Sequence, residues 1–126
     1  MTAQIQEVLQ KMRADYIANL PRQLESLEAQ VMALGKGDDY QDRYEELYRA
    51  IHSLKGTAGT YGIPVITAIC GPFEEYLAAT LKDVRGASNE QITACMHFIE
   101  LLSKATRQVS AGRDTFPEIE TSLAAI

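Results

Sequence analysis

Apolar residues recur at steps of three and four along nearly the whole chain, and no stretch alternates strictly between polar and apolar as a half-buried strand would. The pattern predicts an all-α protein. In the first third, Ile5, Leu9, Met12, Tyr16, Leu20, Leu24, Leu27, Val31 and Leu34 keep one stripe on one side of a helix. Pro21 interrupts that stripe, because proline lacks a backbone donor and clashes one turn back. Either a kink or a fresh start near Asn19 is expected. This gives a short N-terminal helix over about residues 1–19 and a second helix ending before Gly35-Lys36-Gly37.

Asp38 or Asp39 is placed to cap a third helix by accepting the free N–H groups of its first turn. Its seam, Tyr44, Leu47, Ile51, Leu54, Ala58 and Tyr61, has the spacing of an antiparallel bundle. Gly62 is suited to end that helix in a left-handed conformation, and Pro64 to open the next. A fourth helix from about Pro64 to Leu81 buries Ile66, Ile69, Phe73 and Leu77, with a bend expected at Gly71-Pro72. Lys82 to Ala87 reads as a loop. Ser88-Asn89-Glu90-Gln91 fits a capping box that opens a fifth helix carrying Ile92, Cys95, Met96, Ile99, Leu102 and Val109, which stops near Gly112. The tail, residues 113–126, has room for a helical turn or two from Pro117.

The length of 126 residues suits one domain with one core, its bundle spanning about residues 20–112. Hydrophobic residues at 46% and charged residues at 23% are ordinary for a globular protein. A net charge of -5 argues against nucleic acid and anionic membrane surfaces as partners. No apolar run has the length of a membrane span, and the N-terminus lacks a signal-peptide core, so a cytoplasmic location is expected. Cys70 and Cys95 are expected to be reduced core residues. No metal site is expected: His97 and the cysteines lack zinc spacing, and Asp38, Asp39 and Asp42 lack the ligand series of a calcium loop. Neither a P-loop nor a kinase ATP motif occurs, so the chain is read as a non-enzyme.

The run His52-Ser53-Leu54-Lys55-Gly56-Thr57-Ala58-Gly59 sets a histidine among glycines on the third helix. Two glycines inside a helix cost roughly 2 kcal/mol against alanine, so they need a reason. At 100° per residue, Tyr48, Lys55, Gly56 and Gly59 all fall within about 60° of His52, on a face turned away from the apolar seam. The glycines clear a surface beside the imidazole on which a partner can dock, with Tyr48 at its rim. A neutral imidazole has a lone pair near physiological pH and can carry a phosphoryl group. Transfer of such a group depends on alignment and charge stabilisation, to which Lys55 can contribute.

His52-Ser53-Leu54-Lys55-Gly56 with Gly62 ten residues after the histidine resembles the signature of histidine-containing phosphotransfer domains. Leu20-Pro21, the acidic helix start, Gly62 and Phe73-Glu74 also fit that family's order and spacing. The resemblance implies an antiparallel four-helix bundle with extra N-terminal helical structure, phosphorylated on His52 within two-component signalling. It implies receiver domains of hybrid histidine kinases and response regulators as partners, and no cofactor on this chain. Magnesium is expected in the receiver's acidic pocket. The stretch HSLKGTAGTYG is also similar to the phosphotransfer domain of chemotaxis-type histidine kinases, where a glutamate at the spacing of Glu74 bonds the imidazole. Glu74 is therefore expected to accept from Nδ1–H and leave Nε2 as the nucleophile. A second histidine of that branch corresponds to Gly71 here, which favours the general family. The alternatives are a kinase substrate domain phosphorylated directly from ATP by a separate catalytic domain, and a phosphate-free adaptor that binds receivers. A monomer is expected, and the start at Met1 without a linker favours a free-standing module.

Overall fold

Thr2 opens the first helix by accepting the backbone N–H of Ile5 on its hydroxyl at 3.3 Å. In the computed structural model, which describes residues 2–35 and 37–126, that helix, α1, runs without interruption over Ala3–Met32. It is followed by α2 (Tyr40–Thr60), α3 (Pro64–Thr80), α4 (Asn89–Ser110) and the short α5 (Pro117–Ala124). Met1 and Lys36 lie outside the described residues, so the glycine break before α2 is described only at Gly35 and Gly37.

The helices form an antiparallel bundle in which α1 packs on α2 and α4, and α3 closes the ring between them. Tyr16 of α1 lies beside Thr57 near the end of α2, while Arg43 near its start donates to the carbonyl of Ala33 at 2.8 Å. Leu20, Leu24, Leu27 and Val31 of α1 meet Leu47, Ile51 and Leu54 of α2, Ile66, Ile69, Phe73 and Leu77 of α3, and Ile99 and Leu102 of α4 in one core. Phe73 and Phe98 stack at its centre, with ring centroids 4.8 Å apart.

Three expectations need correction. Pro21 neither ends nor restarts the helix, so residues 1–19 do not form a separate short helix; the short additional helix is α5, at the C-terminal end. The missing donor forfeits one bond to the Ile17 carbonyl, while Leu20 and Leu24 on either side are buried and keep the chain helical. The first turns of the stripe that begins at Ile5 do not reach the core: Ile5, Val8, Leu9 and Met12 are exposed on a part of α1 that extends beyond the end of α2. Asp39 occupies the position before α2 but caps nothing with its side chain, because its carboxylate is taken by Arg43 at 2.6 Å.

The turn between α2 and α3 is what joins the two helices closely. Gly62 has φ +72°, its N–H bonds the carbonyl of Gly59 at 3.1 Å, and Ile63 N–H bonds that of Ala58 at 2.8 Å. This Schellman arrangement satisfies the last carbonyls of α2 and lets Pro64 start α3 at once. The capping box of α4 is present, with Ser88 accepting from Gln91 N–H at 3.1 Å and the Gln91 side chain accepting from Ser88 N–H at 2.9 Å. Phe116 and Ile119 bury α5 on the core.

Candidate functional site

The α2 seam fixes the direction of His52. Ile51 and Leu54 are fully or nearly fully buried, so the imidazole between them must point outward, and its side chain is 65% exposed. Glu74 approaches from α3, where Phe73 and Leu77 are buried beside it, and its side chain is only 11% exposed. Nδ1 of His52 stands 3.2 Å from Oε2 of Glu74. An ionised carboxylate can only accept, so Nδ1 carries a proton, and in the neutral ring the lone pair then sits on Nε2.

Lys55, one turn after His52, also reaches Glu74. Its Nζ lies 3.0 Å from Oε2 and 3.1 Å from Oε1, bridging both oxygens. Tyr48, one turn before His52, donates its hydroxyl to Oε1 at 3.4 Å while its ring tilts against Tyr44. Burial, the largest single influence on Glu74, pushes its carboxyl up. The bonds from Lys55 and His52 and their positive charges together outweigh it and hold the carboxyl below its ordinary value. Glu74 is thus a buried anion with three side-chain donors, as a buried charge requires.

Gly56 is exposed, and a methyl group in its place would meet nothing within 4 Å. Gly59 is also exposed, but a methyl there would stand 3.6 Å from the hydroxyl of Thr67. Gly59 therefore borders α3, whereas Gly56 faces open space. Gly71 on α3 likewise has open space beside it. The Thr67 hydroxyl donates to the carbonyl of Lys55 at 2.9 Å, across from α3 to α2.

The structure thus brings His52, Lys55, Glu74 and Tyr48 into one network and leaves Gly56 and Gly59 along its C-terminal side. Tyr48 does not simply line a surface, since its hydroxyl is turned into the network. Lys55 is turned toward Glu74 and is not extended into solvent. Thr67 carries no signal in the sequence, because the direction of a helical hydroxyl depends on the neighbour it finds.

Elsewhere, Cys70 and Cys95 are buried, and burial pushes each thiol up to about 12, so both are neutral thiols. Among the described residues no three His, Cys, Asp or Glu side chains converge as metal ligands, and no helix is long and apolar enough to cross a membrane.

Residues 11–125 match the family model of the Hpt domain. The chain belongs to the Hpt domain family. No curated protein and no solved structure matches it. Hpt domains are phosphocarriers that exchange phosphoryl groups through histidine with receiver domains in two-component phosphorelays. In this Hpt domain, the exposed imidazole of His52 and the buried carboxylate behind it both fall within the matched residues.

Proposed function

We propose that His52 takes a phosphoryl group on Nε2 from the aspartyl phosphate of a receiver domain in a hybrid histidine kinase, and passes it to a response regulator. The observation that carries this reading is an exposed imidazole whose Nδ1 is occupied by a buried carboxylate. The ring is thereby held in the tautomer that presents Nε2 outward.

In the forward step the Nε2 lone pair forms the bond to phosphorus as the P–O bond to the donor aspartate breaks. The aspartate carboxylate leaves with that electron pair. The imidazole gains positive charge and keeps its proton on Nδ1, where Glu74 stabilises it. Lys55 offsets the charge of Glu74, so the incoming phosphoryl oxygens do not meet an uncompensated anion. Transfer to the second receiver reverses these bond changes. On this reading the divalent ion is held in the receiver's acidic pocket, and the Glu74 carboxylate beside His52 is engaged by Lys55 and the ring.

The test is label transfer from phosphorylated receiver domains, in parallel with ATP plus a kinase catalytic domain, followed by mapping of the labelled residue. Acid-labile, base-stable label on His52 from the receiver, absent in His52→Gln, is the expected result. Label from the kinase alone would assign the chain to direct phosphorylation. Label on another residue would overturn the role of His52, and full signalling by His52→Gln would make the chain an adaptor.

A further inference from the structure

Helical threonines usually turn their hydroxyls back on their own helix. Thr57, Thr60, Thr80, Thr93, Thr106 and Thr121 all do so, each donating to the carbonyl four residues earlier at 2.7 to 3.1 Å. Thr67 is the exception among the described helical threonines: its hydroxyl leaves α3 and donates to the carbonyl of Lys55 on α2, at 2.9 Å. That carbonyl belongs to a residue of the His52 network. The approach passes beside Gly59, where a methyl would already be in contact with the same hydroxyl at 3.6 Å. A larger side chain at Gly59 would push into the space this bond uses.

The place of this bond relative to Glu74 gives it a function. Thr67 lies seven residues before Glu74, two helical turns and roughly 10 Å away on the same face of α3. Seven residues after Glu74, the carbonyl of Leu81 accepts the hydroxyl of Tyr40 from α2 at 2.7 Å. The carboxylate that must reach Nδ1 therefore stands midway between two polar ties joining the same two helices. Apolar packing between α2 and α3 tolerates small slides, whereas a bond from a short hydroxyl to a fixed carbonyl does not. A displacement of a few tenths of an ångström is enough to lengthen the 3.2 Å contact between His52 and Glu74 beyond hydrogen-bonding range.

We infer that Thr67 is a positioning residue for phosphotransfer: by tying α3 to the Lys55 carbonyl, it sets the spacing at which Glu74 holds the Nδ1–H tautomer of His52. The inference rests on the reading of His52 as the phosphoacceptor, but its signature is visible in the unphosphorylated protein.

The experiment compares wild type, Thr67→Val and Thr67→Ser in the full chain, by the ¹⁵N shifts of the His52 ring and by the rate of label transfer from a phosphorylated receiver. Valine keeps the size and removes the hydroxyl; serine restores the donor. In Thr67→Val the proton shifts away from Nδ1 and transfer slows about three- to tenfold, and Thr67→Ser returns both toward wild type. Wild-type ring shifts in Thr67→Val, or a serine variant as impaired as the valine one, would overturn the inference. Should valine prevent folding, Thr67→Ala against Thr67→Ser makes the same comparison. Failure of wild type to take label on His52 would refute the phosphotransfer reading alone, with the ring shifts still deciding the role of Thr67.

Discussion

Lys55 grips both oxygens of Glu74, at 3.0 Å and 3.1 Å, so its charge is directed inward while the imidazole beside it faces out. The ammonium compensates a carboxylate that the fold has taken out of water. Replacing it exposes how much of the site depends on that compensation.

Lys55→Met should destabilise the fold by about 1–2 kcal/mol at pH 7, since a buried carboxylate loses its main cation. Because the folded carboxyl of Glu74 is held below its ordinary value of 4.5, the wild-type contribution is present above that pH. It is lost as pH falls through the folded pKa. In the variant, burial is less opposed and the carboxyl rises. The stability gap between the two proteins should therefore be widest near neutrality and narrow as pH falls through the depressed folded pKa of Glu74. Urea denaturation at pH 7 and pH 3.5 measures this, and parallel pH profiles would show that the ion pair does not govern Glu74.

At Gly56 a methyl group meets nothing, so Gly56→Ala should raise stability by up to about 1 kcal/mol through helix propensity alone. Gly56→Leu should fold equally well but obstruct a protein partner, lowering label transfer from a receiver domain while leaving labelling by a small-molecule phosphoryl donor intact. Equal loss with both donors would place the defect in the chemistry of His52 and not in docking.

Pro21→Ala should stabilise the protein, by about 1–3 kcal/mol, because α1 is already helical through this position and the alanine supplies the donor that the Ile17 carbonyl lacks. Far-ultraviolet circular dichroism should be unchanged, with a higher thermal midpoint. A lower midpoint would mean that the proline relieves a strain in the helix.

Gly62→Ala should cost about 1–2 kcal/mol, since φ +72° is a left-handed conformation that a side chain resists. Chemical denaturation should register this loss, and the His52–Glu74 contact, carried on the two helices the turn joins, should weaken with it. The same loss at the open, right-handed Gly56 would show that the effect is not conformational.

Much of this arrangement was legible from local chemistry. The helices, the left-handed glycine after α2, the proline that opens α3 and the capping box of α4 all depend on residues within a turn of one another. What local rules missed was decided by competition at longer range. Pro21 is overruled by the burial of Leu20 and Leu24, and Asp39 is drawn from the helix end to Arg43. Ile5, Leu9 and Met12 have the periodicity of a core stripe, but α1 outruns the helix that would cover them. At the site, exposure of His52 follows from the seam, and the place of Glu74 came from a family resemblance. The inward turn of Lys55 and Tyr48 and the crossing of Thr67 depend on how closely α3 lies against α2, which no periodicity encodes.

The short Gly62 turn has a kinetic consequence. His52 and Glu74 are 22 residues apart and Tyr48 and Glu74 26, so every side chain of the network belongs to a single helical hairpin. Closing so short a segment sacrifices little chain entropy, and contacts this local form early and re-form quickly after thermal opening. The candidate site thus draws its order from its own neighbourhood in the chain, while α1 and α4 contribute chiefly the apolar backing that keeps the hairpin closed.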